Sequence, residues 1–355
     1  MIYNDGTYEE NGEIWFIGYN DNIIYHMSQN HEVELIDKIP TKGIDTYRMN
    51  PMCIKDKNRL ICLPSKSCSV YVYDIEKQQF KEIPIKLDVN RYSIENAWVE
   101  GEILWCISYR SGELIKCNIE TGNYKKFSVC DKSLVCASGE ALRINNSLYI
   151  LHKKKCRISK FDMITDKIVD YDLPCDDIGF GTIGYIDGKF LLTGYKKNIY
   201  IWSENNNQVD VVPINNMRFL AERESVSETA RFLKSKIIKD YFIAIPFNNS
   251  YFISDGLVVY NWKTGNLKIY TLSADNKKRC DGDDFVYNYS CGDKVYIQDP
   301  TINQYWEIDL SKEEVKKREI TVDRKSCETY WKRHGVDGVN LESNLIDLDI
   351  FIKNI

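Results

Sequence analysis

The sequence predicts an all-β chain, a seven-bladed β-propeller of four-stranded blades with a short C-terminal tail that is helical or irregular. One observation is a seven-fold echo, in which a small polar turn precedes a short apolar run. It reads NGEIWFIG at Ile14, KNRLICLP at Leu60, EGEILWCIS at Ile103 and NNSLYILH at Leu148. It continues as DGKFLLTG at Phe190, KDYFIAIP at Phe242 and GDKVYIQD at Val295. Successive anchors lie 46, 43, 45, 42, 52 and 53 residues apart, the length of one propeller blade. The second observation is composition: 24 tyrosines against only 8 prolines suit strands that are seldom interrupted.

Blade three carries the clearest internal order. IENAWVEG reads as an inner strand, EILWCIS as the second, ELIKCNI as the third and NYKKFSV as the outer strand. Tight turns containing Gly, Asn or Asp join them. The second strands are nearly continuous apolar runs, as expected when both faces meet neighbouring blades. Outer strands are polar and alternating, as befits an edge in water. The repeats place the propeller at residues 1–322 and leave 323–355 as a tail packed on it. In that tail Leu341, Leu345, Leu348 and Ile352 recur at helical spacing behind a possible Asn340 cap. The alternating stretch LIDLDIFI equally fits a strand that pairs with the first blade.

Two segments break the regularity. The link NMRFLAERESVSETARF between blades five and six is long and partly helical in pattern. Blade six also carries a long insertion, PFNNSYFISDG, between its second and third strands. Links and second-to-third-strand loops leave a propeller on the same face, and long loops on a rigid scaffold commonly bind.

Composition narrows the partners. A hydrophobic fraction of 43% and a charged fraction of 28% fit a globular chain. The net charge of -5 supplies no basic field for nucleic acid or anionic lipid. No apolar run is long enough to span a bilayer, and the N-terminus MIYNDGTYEENGE lacks the pattern of a secretory signal. The expectation is therefore a cytoplasmic protein. Its 12 cysteines contain no C-x-x-C pair and are read as reduced, small buried hydrophobes.

The blade endings VYVYDIEKQQFKEIPI, SKFDMITDKIVDYDLP, VVYNWKTGNLKIYTLS and YWEIDLSKEEVKKREIT resemble those of the kelch-type, galactose-oxidase-like propellers. An arginine eleven or twelve residues before the second-strand anchor adds to the resemblance: Arg48, Arg91 and Arg231. The family's glycine doublet at the end of the second strand is absent, and only Gly18 and Gly194 keep a glycine nearby. The resemblance implies the fold and carries over no catalytic residue.

No motif for catalysis stands out. The G-x-G-x-x-G at Gly179, Gly181 and Gly184 is followed by a strand pattern rather than a helix, so it lacks the helix N-terminus that binds a pyrophosphate. Asp281, Asp283 and Asp284 are too closely spaced for a complete calcium loop. The four histidines, His26, His31, His152 and His334, show no ligand spacing. No metal or cofactor is expected. The best candidate site is the ring of residues before the inner strands, at the mouth of the central channel: Arg48, Asn50, Arg91, Glu95, Asn96, Glu140 and Arg231, overhung by Glu224 and Glu228 of the long link. Arginine and carboxylate together can bind an anionic or polyhydroxylated ligand. They can equally cap main-chain carbonyls between blades. The leading functional expectation is a non-catalytic binding or scaffolding protein that engages a protein or glycan through the loop-rich face at blades five and six. The alternative is a lyase or hydrolase for a sugar-like or anionic substrate at the channel mouth.

Overall fold

The structure is a computed structural model. It describes residues 7–8, 12–18, 22–40, 52–64, 67, 69–85, 94–108, 111–129, 141–152, 154–215, 221–222, 232–246, 252–253, 256–272, 286–299 and 304–334. Seven four-stranded antiparallel blades follow one another along the chain. They cover 7–38, 52–84, 94–128, 141–172, 180–213, 232–271 and 286–319. In each, the strands lie side by side in chain order from the inner strand to the outer one.

The second strands explain the ring. In Ile103–Ser108 alternate side chains point to opposite faces. Leu104 and Cys106 join a core shared with blade two, while Trp105 and Ile107 join one shared with blade four. The same division recurs, so that one apolar cluster fills each of the seven gaps between adjacent blades. Each blade thus buries both faces only when both neighbours are present.

The turns show what the repeated blade endings encode. The last residue of the third strand is Asp74, Asn118, Asp162, Asn261 or Asp309 in blades two, three, four, six and seven. Its side-chain oxygen accepts main-chain N–H groups two or three residues on, such as Glu120 and Thr121 for Asn118 and Ile164 and Thr165 for Asp162. This is turn chemistry available to any hairpin, which is why the pattern by itself names no family.

Ion pairs repeat on the face that carries these turns. Lys81 meets Glu120, Lys125 meets Asp166, Lys160 meets Glu204 and Lys268 meets Glu313, at 2.6 to 2.7 Å. Each joins one blade to the third-to-outer-strand turn of the next.

Among the described residues, blade one takes its four antiparallel strands from 7–38, and the chain beyond blade seven returns to its outer edge. Thr321–Val322 adds in parallel to the outer strand of blade one, Glu32–Lys38. An 11-residue helix, Arg324–His334, follows. Asp323 caps it, accepting from the Lys325 and Ser326 amides at 3.1 and 2.9 Å. Cys327 and Tyr330 pack into the core shared by blades seven and one. At the other end, Arg333 and His334 reach Asp37 at 3.3 and 3.1 Å, where the helix dipole also favours cations. Arg333 further donates to Gln78 of blade two at 3.0 Å. This helix lies earlier than the 3.6-residue pattern at Leu341–Ile352 indicated, and that pattern falls outside the described residues.

Candidate functional site

Links between blades and second-to-third-strand loops share one face of the ring. The two irregular segments meet there: Ala221–Glu222 of the long link pairs antiparallel with Phe252–Ile253 of the blade-six insertion. The helical pattern expected of the link gives way to a strand at these two residues.

The same face bears a recurrent irregularity. In blades three, five, six and seven, the inner strand carries one residue more than its partner, at Glu95, Gly181, Leu233 and Asn288. Such bulges turn a strand end and redirect its side chains. Three sit opposite the last step of the second strand, and in blade seven the bulge lies deeper.

The best-defined polar geometry on this face is at blades four and five. The link from Asp172 to Phe180 crosses the face from the outer strand of one blade to the inner strand of the next. Asp177 lies in it. Its Oδ1 accepts the amides of Ile178 at 2.6 Å and Tyr195 at 3.2 Å. Its Oδ2 accepts the Lys196 amide at 3.1 Å and the Tyr200 hydroxyl at 2.8 Å. The carboxylate therefore clamps the blade-five loop to the incoming link. Gly194 makes this possible, because a Cβ there would lie 2.7 Å from Asp177 Oδ2. Burial, together with the neighbouring carboxylate, pushes the Tyr200 phenol up. Lys196 also pairs with Asp176 through its ammonium.

Beside this loop, His152, Ser159 and Asp170 contain the residue types of a hydrolase triad in the wrong order. Ser159 donates to Asp170 at 2.6 Å, so its oxygen is left to accept from His152 Nε2 at 2.7 Å. A base must take the serine proton for nucleophilic attack. Here the carboxylate holds it. Ser159 is also fully buried, and burial lowers the His152 pKa. The set is a structural relay.

Glu204 performs a comparable task between blades four and five. It accepts from Tyr149, Tyr171 and Lys160, at 2.7, 2.7 and 2.6 Å. Burial pushes its carboxyl up, but these three donors more than offset that and hold it below the usual carboxylate range. Burial and the adjacent Glu204 push Tyr149 up to about 12.

Of the residues expected at the channel mouth, Glu95 and Asn96 lie at the upper end of the blade-three inner strand, Ile94–Glu100. Glu95 is the bulge residue, and Asn96 lies opposite Ile107. Arg48, Asn50, Arg91, Glu140, Glu224, Glu228 and Arg231 lie outside the described residues, as does the Asp281–Asp284 cluster. The glycine motif has a packing explanation at Gly184, where a Cβ would come within 2.8 Å of Ile237 and 2.9 Å of Phe242 in blade six. Asp177 was missed by sequence reasoning. Its signal was available in the acidic pair before Gly179, combined with Gly194 at the end of the second strand of blade five.

The sequence matches no protein-family model and no curated protein. Solved structures do match. The chain superposes on one described as a streptogramin B lyase structure with a TM-score of 0.57 and 15% identity, over 89% of this chain and 92% of that one. A chain of a mitotic checkpoint complex gives 0.56 and 10% identity, over 90% and 87%. The computationally designed Ika8 protein gives 0.52 and 10%, over 90% and 93%. The likeness is one of fold. Identity this low transfers no site, and one fold serves a lyase, a component of a complex and a designed protein.

Proposed function

We infer that the chain is a non-catalytic binding propeller of the cytoplasm that docks a protein partner on its loop-bearing face, centred on blades five and six. The observation that carries this reading is the ladder between Ala221–Glu222 and Phe252–Ile253, because it joins the two longest departures from blade regularity. On the same face, the Asp177 clamp fixes the blade-five loop in one conformation, which lowers the entropy lost when a partner binds. Ile178 and Lys196, both exposed, flank that carboxylate and offer an apolar and a cationic contact. The channel-mouth residues Arg48, Asn50, Arg91, Glu95, Asn96, Glu140 and Arg231, with Glu224 and Glu228, would supply polar contacts toward the axis. The enzyme reading retains only the fold likeness to the lyase structure.

The test is site-specific photo-crosslinking in cells that produce the protein. A photoreactive residue replaces Ile178 or Lys196 on the loop-bearing face, or Glu120 or Asp166 on the opposite face. A discrete protein adduct from the first pair alone is the expected result. Retention on a glycan array, abolished by Lys196→Glu, would replace the protein partner with a glycan. Equal labelling from both faces, or no adduct and no glycan, would overturn the reading.

A further inference from the structure

Eight of the twelve cysteines lie among the described residues, and seven of these, Cys53, Cys62, Cys106, Cys117, Cys156, Cys175 and Cys327, are free thiols. Six of them form three close pairs. Cys53 and Cys62 face each other across blade two, and Cys106 and Cys117 sit on neighbouring strands of blade three. All four are buried among apolar side chains. Cys156 and Cys175 differ, since both are only half-buried. Cys156 ends the second-to-third-strand loop of blade four, and Cys175 begins the link that carries Asp177. The main chain holds them together: the Leu173 amide donates to Cys156 O at 2.7 Å, and the Cys175 amide donates to Leu173 O at 2.9 Å. The Cys156 thiol donates to Asp177 O at 3.1 Å, and the two thiols are close enough for each to shift the ionisation of the other.

We propose that Cys156 and Cys175 form a peroxide-oxidisable dithiol, with Cys156 as the attacking sulfur and Cys175 as the resolving one. Reactivity follows thiolate character and access. The hydrogen bond from Cys175 favours the Cys156 thiolate and draws that group below the ordinary thiol range, against burial and the nearby Asp176 and Asp177 carboxylates. The Lys196 ammonium also acts on Cys156 and favours its thiolate. The same shared hydrogen bond pushes Cys175 up, so it keeps its proton until the second step. Burial and the neighbouring Cys117 push Cys106 up, and burial pushes Cys117 up to about 11, which leaves that pair inert.

In the first step the Cys156 thiolate attacks one oxygen of hydrogen peroxide. The O–O bond breaks, hydroxide leaves, and a sulfenic acid forms on Cys156. Cys175 then attacks that sulfur and the S–O bond breaks. The sulfenic hydroxyl leaves as water with the Cys175 proton. Two thiols become one disulfide as one peroxide becomes two waters. The bond would staple the blade-four loop to the link two residues before Asp177.

The experiment exposes the reduced full-length chain to hydrogen peroxide and maps disulfides by mass spectrometry of a digest. The expected product is a Cys156–Cys175 link, with Cys53, Cys62, Cys106 and Cys117 still reduced. In Cys175→Ser, dimedone should trap a sulfenic acid on Cys156. Iodoacetamide should alkylate Cys156 at least about tenfold faster than Cys106 in the folded chain. The proposal falls if both thiols survive peroxide that oxidises a free cysteine peptide. It also falls if dimedone labels Cys175 in Cys156→Ser as readily as it labels Cys156 in the reciprocal variant. Should a serine variant fail to fold, the linkage in the unmodified chain decides.

Discussion

Asp177→Ala removes the acceptor for four donors at once. The Ile178 and Lys196 amides belong to exposed residues, where water can replace the lost carboxylate. The Tyr195 amide and the Tyr200 hydroxyl belong to residues only 6% and 1% exposed, and they carry most of the penalty. A hydrogen bond to a charged group contributes about 1.5–3 kcal/mol, and a neutral one about 0.5–1.5 kcal/mol. Two buried donors left without a partner therefore cost about 2–4 kcal/mol. Unfolding entropy near 2 cal/mol/K per residue converts this, for a chain of 355 residues, into a fall of roughly 3–5 °C in the thermal midpoint. Asp177→Asn should cost less, about half. It keeps Oδ1 for Ile178 and Tyr195 but sets an amide group against the Lys196 N–H. Calorimetry gives the midpoint. Hydrogen exchange supplies the local readout: the amides of Ile178, Tyr195 and Lys196 should exchange faster in Asp177→Ala while Leu191 and Leu192 remain protected. An unchanged midpoint together with unchanged exchange at those three amides would refute the clamp.

Glu204 predicts an acid dependence of known sign. Its folded pKa is depressed below the ordinary carboxyl value of 4.5, so its contribution is present above that value and is lost as pH falls through the folded pKa. Glu204→Gln should lower stability at neutral pH and flatten the acid limb of a stability-versus-pH curve, whereas parallel curves would exclude Glu204 as the cause. Gly184→Ala forces a methyl against Ile237 and Phe242 at under 3 Å, and should destabilise by about 1–3 kcal/mol in urea unfolding. Tyr330→Ala empties an aromatic position that is 4% exposed between the helix and blade one. It should cost about 3 kcal/mol, and a neutral result would show that the helix does not help close the ring.

The ring was legible in the sequence because its physics is periodic. Every second strand must bury both faces, so the run around Ile103 or Phe190 is apolar throughout, and every blade repeats it. The third-strand Asp or Asn was visible as a pattern, and its turn-capping role explains the recurrence. The bulges were not legible, since one extra residue at Glu95 or Gly181 changes register without changing composition. Asp177 was hidden for a related reason. Its four partners come from Ile178 beside it and from residues 195–200, and only the folded link brings that loop to the carboxylate. A helical tail was legible but its place was not, because Cys327, Tyr330 and Trp331 are the only apolar anchors of Arg324–His334. The more regular leucine pattern after Asn340 drew the helical reading instead.

A device that recurs from blade to blade answers a need of the ring, and one that occurs once answers a need of something else. The ion pairs of Lys81, Lys125 and Lys268 recur between largely exposed side chains, where solvent screens most of the attraction. They set how neighbouring blades meet and contribute little to stability. The loop-bearing face carries, among the described residues, three features outside the blade ladders. Asp177 clamps the link between blades four and five, the Ala221–Glu222 ladder lies over blade six, and the half-buried dithiol joins that same link to the blade-four loop. All three lie between blade four and blade six. Propeller closure does not require them, since each gap is already filled by its own apolar cluster. On the proposed docking face they would supply a rigid edge and an added strand pair, the two things that let a partner bind without ordering the loops first.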